Sequence, residues 1–122
     1  MPFEFYLQPS RKTVFDPRAV EEMRAYLHAL PSHRWPDSSY VLFKSADERT
    51  ADLPSLLEAA GPDYVHALVA VEPDYVLLVS VGDLDTNRMM YDFVVWCRQR
   101  WLCDLYEYED QVEPQMLLQA GY

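Results

Sequence analysis

Glycine and cysteine are both rare in this chain, with 3 and 2 copies among 122 residues. No glycine falls in a GxGxxG or GxxxxGK pattern, which excludes the usual loops that hold dinucleotides and nucleotide phosphates. The two cysteines, Cys97 and Cys103, are too few for a disulfide framework, so we expect both to be reduced thiols in or near the core. The histidines lack the spacing of a metal site, and we therefore predict neither a metal nor a cofactor.

Positive charge is also scarce, because 10 Lys and Arg accompany 20 Asp and Glu and the formal net charge is −10. Nucleic acids and anionic membranes bind proteins through many lysines and arginines, so neither is expected as a partner. The longest uncharged apolar run, residues 75–81, is far shorter than the roughly 20 residues that cross a bilayer. The first residues lack the basic and apolar regions of a signal peptide, which predicts a cytoplasmic protein.

The order of apolar and polar residues predicts an α+β fold. Asp16 followed by Pro17 indicates a helix start, and the apolar spacing after it predicts a helix that ends near Leu30, before Pro31. Residues 65–71 and 75–81 are apolar at nearly every position and flank a short turn containing proline. They predict a hairpin that is either covered on both faces or central, with helices on one side and a partner on the other.

Weaker patterns complete the predicted order β-α-β-(α)-β-β-α-β within one domain, residues 1–122. They predict strands at 3–7, 40–44 and 103–109, a loop at 31–39, a short helix at 51–61, a second long helix after 82–86, and a short C-terminal helix or docked tail after Pro114. Asp85 or Thr86 is expected to cap the second long helix. The economical architecture is a mainly antiparallel sheet with two amphipathic helices on one face, a variant of the ferredoxin-like sandwich.

No catalytic signature is visible in the sequence. Asp83 and Asp85 have the residue types of an acid–base pair or a cation site, but residues at such a strand-to-helix position more often cap a helix. No serine lies in a nucleophile elbow. We therefore predict that the protein is not an enzyme.

Negative charge is concentrated late in the chain, since residues 62–122 contain 11 acidic and 3 basic side chains. Residues 104–113 are the densest part, with tyrosines interleaved among carboxylates and no Lys or Arg. In a single strand over 103–109, Asp104, Tyr106 and Tyr108 would point to one face, and Leu105, Glu107 and Glu109 to the other. Carboxylates attract a basic protein over a distance and aromatic rings supply contact area. The predicted partner-binding residues are Asp104, Tyr106, Glu107, Tyr108, Glu109, Asp110 and Trp35.

Each of these residues also has a purely structural interpretation. Charge on the strand at 103–109 would keep a sheet edge soluble, and Trp35 would cover one end of the core.

Four functions remain open on the sequence. The first is an inhibitor that neutralises a basic toxin or nuclease-like enzyme, because bacterial immunity proteins, antitoxins and some phage-encoded inhibitors are small, acidic and rich in interface aromatics. The second is an acidic chaperone for a secreted effector, which would form a homodimer. The third is a small-molecule sensor with a pocket that includes Trp35, Trp96 or Trp101. The fourth is a structural subunit whose acidity serves solubility.

Overall fold

The computed structural model describes residues 3–30, 32–34, 39–42 and 67–121 of the chain. The strands in these residues are β1 (Phe3–Pro9), β2 (Ser32–Arg34), β3 (Ser39–Leu42), β4 (Leu68–Val71), β5 (Val76–Ser80), β6 (Cys103–Glu107) and β7 (Asp110–Val112). The helices are α1 (Pro17–His28), α2 (Leu84–Arg100) and α3 (Gln115–Gln119). The predicted α+β fold is confirmed.

The strands form one sheet in the order β2-β3-β4-β5-β1-β6-β7, and every neighbouring pair is antiparallel. Helix α1 follows β1, and α2 connects β5 to β6. The inner order β4-β5-β1-β6, with these two helices, is compatible with the predicted variant of the ferredoxin-like sandwich. Strands β2 and β3 extend the sheet at one edge, and β7 extends it at the other.

The main core lies between one face of the sheet and the helices. Phe5 and Leu7 of β1 are fully buried in the same cluster as Met23 of α1 and Phe93 of α2. Each such side chain stabilises the fold by about 1.5–3 kcal/mol relative to an exposed one. Strand residues alternate between the two faces, so the residues between these core positions point to the opposite face. None of the described helices packs on that face, which is called here the helix-free face for this reason. A second buried cluster lies there, formed by Val41, Leu68 and Val79.

Both long helices start near the expected residues, but the cap of α2 differs from the prediction. Asp83, rather than Asp85 or Thr86, is the N-cap, and its carboxylate accepts a hydrogen bond from the Thr86 backbone N–H at 3.0 Å. The helix begins at Leu84, which places the Thr86 amide in the third helical position, where an N-cap carboxylate reaches it. At α1, Pro17 occupies the first turn as predicted, whereas the Asp16 carboxylate makes no cap hydrogen bond.

Several other predictions are refined by strand pairing. The hairpin of β4 and β5 is confirmed, as is the short helix after Pro114. Strand β2 lies inside the predicted loop 31–39, because its backbone finds partners on β3 that no local pattern reveals. The predicted single strand over 103–109 is wrong, since the chain turns after Glu107 and returns as β7. The short helix predicted at 51–61 lies outside the described residues.

The C-terminal helix α3 is attached through a buried polar network. The Ser80 hydroxyl donates to the Asn87 side-chain oxygen, and the Asn87 side-chain N–H donates to the Ala120 carbonyl at 3.0 Å. Gly82 and Gly121 both have positive φ, 81° and 85°, and a Cβ on Gly121 would lie 2.7 Å from the Gly82 Cα. The network therefore fixes α3 beside the end of β5.

Candidate functional site

The residues predicted to bind a partner lie mostly on the hairpin of β6 and β7, at one edge of the sheet. Glu107 and Asp110 are paired, which leaves Tyr108 and Glu109 as a two-residue turn. The Tyr108 backbone has φ 56°, in the left-handed region, and its side chain is 88% exposed. Short hairpin turns of this kind favour Gly, Asn or Asp, and a residue with a Cβ pays roughly 1–2 kcal/mol there.

The turn distributes the predicted residues over two faces and a tip. Leu105 is buried in the main core, so its neighbours Asp104 and Tyr106 lie on the helix-free face. Glu107 is on the same side as Leu105 and lines a cavity against α3. The prediction that Tyr108 shares a face with Asp104 and Tyr106 is wrong, because the strand has ended by then. Tyr108, Glu109 and Asp110 instead form the exposed tip, called here the acidic tip.

Tyr6 of β1 and Tyr75, which directly precedes β5, extend this surface across the helix-free face. Tyr6 of β1 is the direct partner of Tyr106 on β6. The ring centroids of Tyr6 and Tyr75 are 5.8 Å apart. Glu4 lies two residues before Tyr6 and therefore on the same face. These residues, Glu4, Tyr6, Tyr75, Asp104 and Tyr106, are called here the tyrosine face.

Burial and negative charge both affect Tyr6. Its pKa is raised above the ordinary tyrosine value, first by partial burial and then by the charge of Glu4. The phenol proton is therefore held more tightly than in a free tyrosine, and the Tyr6 side chain is hydrogen-bonded to that of Glu4. Tyr6 and Tyr75 were not among the residues predicted from the sequence, although the alternation in residues 3–9 was a signal that Tyr6 faces away from the core.

The carboxylate of Asp104 is held in place without being neutralised. It accepts hydrogen bonds from the Ser10 hydroxyl at 2.7 Å and from the Gln111 side-chain amide at 3.3 Å. Both donors are uncharged, so the carboxylate keeps its full negative charge for a partner. Its position is fixed by contacts within the chain, which lowers the entropy cost of a further contact.

The hairpin of β6 and β7 contains no lysine or arginine. The described lysines and arginines lie on α1, α2 and β2 and in the loop after β1. No described ion pair involves Glu107, Glu109 or Asp110. The nearest paired carboxylate in sequence is Glu113, whose oxygen is 3.6 Å from Arg98. The acidic tip is therefore a concentration of uncompensated negative charge.

A shallow cavity of about 420 Å³ lies between the hairpin and the C-terminal helix. Its described lining includes the apolar side chains of Phe3 and Met116, and Glu107 contributes a carboxylate. An apolar wall with one acid suits a long cationic side chain, whose methylene groups pack while the charge meets the carboxylate. Through Glu107, which directly precedes Tyr108, the cavity adjoins the acidic tip.

The other features considered from the sequence are the two cysteines, possible metal ligands, possible membrane spans and Trp35. Cys97 and Cys103 are free and buried, as predicted, and burial raises the pKa of both thiols. Within the described ranges, no group of three or more His, Cys, Asp or Glu is arranged to hold a metal ion. The same ranges contain no helix with the length and apolarity of a membrane span. Trp35, the remaining predicted partner-binding residue, lies outside the described residues.

No family model, curated protein or solved structure matches this chain. No activity, ligand or partner is therefore assigned to it by likeness to a known protein. Its function must be inferred from its own residues, foremost the acidic tip and the tyrosine face.

Proposed function

We propose that this chain is a small acidic binding protein that neutralises a basic protein partner, in the manner of an immunity protein, an antitoxin or a phage-encoded inhibitor. The observation that carries the proposal is Tyr108, an almost fully exposed aromatic ring at the apex of a cation-free acidic hairpin. A toxin or nuclease-like enzyme that acts on a polyanion has the complementary positive surface.

The conformation of Tyr108 supports a role outside the fold. The residue occupies a left-handed backbone position that glycine would occupy without strain. Its ring is 88% exposed, so packing of the ring does not offset this cost. An exposed tyrosine offers large, rigid contact area, and tyrosine is among the residues that contribute most to binding energy at interfaces. Strain without a packing gain is expected where a side chain is held ready for a partner.

The charge distribution supports a basic partner. Glu107, Glu109 and Asp110 lie within one short hairpin and have no described ion-pair partner. At physiological salt, charges attract over about 8 Å before screening dominates, so closely spaced carboxylates act together on an approaching surface. Such clusters raise the association rate and suppress binding to acidic proteins.

The geometry suggests how inhibition would occur. The carboxylates of the acidic tip would take the positions that substrate phosphates occupy in the partner's cationic cleft. The Tyr108 ring would exclude water around them, and the cavity beside Glu107 would receive a lysine or arginine side chain. The tyrosine face would form the flat remainder of the interface.

The test is affinity capture from the native host with variants of matched charge. Immobilised wild-type chain is compared with Glu107→Lys/Glu109→Lys on the hairpin and with Glu21→Lys/Asp92→Lys on the two long helices. Both variants change the charge equally, and Glu21 and Asp92 are exposed on α1 and α2. We expect wild type and the helix variant to retain a basic enzyme that the hairpin variant loses. The free chain should inhibit that enzyme. Equal retention by all three chains would refute the assignment of the site.

A further inference from the structure

A second cleft, on the helix side of the molecule, has chemistry opposite to that of the acidic tip. It lies where the loop after β1 and the start of α1 meet the end of α2, and its volume is about 230 Å³. Its described lining is Pro9, Arg11, Lys12, Val14, Phe15, Asp16, Ala19, Arg100, Trp101 and Leu102. The lining therefore combines an apolar floor with three cations and one carboxylate, in a chain of net charge −10.

The three cations of the cleft differ in the partners that they already have. Lys12 is held by Asp16, with a nitrogen–oxygen distance of 3.0 Å. Arg100 is 3.6 Å from Glu22 and lies over the Trp96 ring, 5.0 Å from its centroid. The Arg11 side chain makes no ion pair or hydrogen bond with another described residue. Arg11 is thus free to bind an anion, and Arg100 is held at the cleft by contacts that leave donor groups on its guanidinium.

The mouth of the cleft is apolar and exposed. Leu102 is 66% exposed and Val14 is 47% exposed, which places both among the large hydrophobic side chains most accessible in the described structure. Phe15 and Trp101 supply aromatic surface to the same wall. Exposed apolar side chains beside a concave surface with a few polar groups are typical of a ligand site.

We propose that this cleft binds a single aromatic ring that carries a carboxylate a few bonds away. The ring would pack between Phe15, Trp101 and Leu102, and the carboxylate would pair with Arg11 and Arg100. An apolar cavity of about 150 Å³ accommodates benzene, so a cleft of 230 Å³ has room for a ring with a short acidic side chain. This site is separate from the proposed partner-binding surface, and neither proposal depends on the other.

Two sources could supply this chemistry, a free arylcarboxylate or the C-terminal carboxylate of a peptide that ends in phenylalanine. Phenylacetate and an acetylated Gly-Gly-Phe peptide represent them, with 2-phenylethanol and the peptide amide as matched uncharged probes. Each is titrated into isotope-labelled chain while amide NMR shifts are followed. Saturation is expected at roughly millimolar concentration for a ligand of this size.

The expected shifts fall at residues 11–16 and 100–102, and at least one acid binds about tenfold tighter than its uncharged match. Arg11→Glu should weaken that acid about tenfold, whereas Arg88→Glu, the same charge change at an exposed site on α2, should alter its Kd less than about twofold. Binding of one acid alone identifies the source. The proposal would be overturned if neither acid binds, or if the uncharged probes bind as tightly as the acids. It would also be overturned if Arg11→Glu and Arg88→Glu change the Kd equally.

Discussion

Tyr6 and Tyr106 lie directly opposite each other on β1 and β6, so the start of the chain and its acidic hairpin share one surface. Cross-strand aromatic pairs stabilise an antiparallel sheet by roughly 0.2–1 kcal/mol. Both rings remain partly exposed on the helix-free face rather than joining the core. The tyrosine face therefore arises from sheet topology and is contiguous with the hairpin that bears Tyr108.

Replacement of Tyr108 should separate stability from binding. Tyr108→Gly relieves the positive φ and removes only an exposed ring, so the free energy of unfolding should rise by about 0.5–1 kcal/mol. Tyr108→Ala keeps the strain and should leave stability nearly unchanged. Urea denaturation measures both changes, and both variants should bind the captured partner at least about tenfold more weakly. Marked loss of stability in the glycine variant would show that the ring supports the fold instead.

The sequence predicted those parts of the fold that local patterns determine. Pro17 and the apolar spacing after it located α1, and the apolar runs around Pro73 located the hairpin of β4 and β5. Strand β2 and the turn at Tyr108 were missed, because pairing with β3 and the return of β7 are tertiary contacts. A tyrosine in a left-handed turn also contradicts the usual turn residues, so no propensity rule would place it there.

The candidate site was predicted in composition but not in shape. Negative charge and tyrosine content identified the hairpin, since both can be read along the chain. The membership of Tyr6 and Tyr75 depends on the strand order, which brings β1 between β5 and β6. Asp83 could not be distinguished from Asp85 as the helix cap, because a shift of one or two residues in the helix start decides which carboxylate meets the free amides.

Asn87 should be the polar residue on which attachment of α3 depends most. Asn87→Ala removes the hydrogen bonds to Ser80 and to the Ala120 carbonyl in a fully buried position. Unfolding free energy should fall by about 1–3 kcal/mol, because buried polar groups lose their partners. Arg88→Ala, at the next and exposed position, should change it by less than about 0.5 kcal/mol.

Hydrogen exchange provides a local check on the same variant. The amides of α3 should exchange faster in Asn87→Ala than in wild type, even at temperatures where β1 and β5 keep their protection. Uniform protection of α3 in the variant would mean that apolar contacts of Leu117 alone hold the helix.

The buried thiols should make stability decline at alkaline pH. Burial raises the pKa of Cys103 to about 11 and that of Cys97 still higher, whereas unfolded thiols titrate near 9. The folded state therefore holds these protons more tightly, so their stabilising effect is complete below pH 9 and is lost as pH rises towards 11. Urea denaturation across this range should show the decline, and Cys97→Ala/Cys103→Ala should show a shallower one. An equally steep decline in the double variant would assign it to other groups.

Reactivity of the same thiols offers a second measurement. At pH 8, a thiol-specific disulfide reagent should label neither Cys97 nor Cys103 in the folded chain and both after denaturation. Rapid labelling of the native protein would contradict their burial.

The Kd of the captured basic protein should be measured for wild type, for Glu107→Lys/Glu109→Lys and for Glu21→Lys/Asp92→Lys, each at low and high salt. If the hairpin is the docking surface, its charge-reversed variant should bind at least about a hundredfold more weakly and with a reduced salt dependence. The helix variant should stay within about threefold of wild type. Similar weakening by both variants would mean that total charge, and not the acidic tip, determines binding.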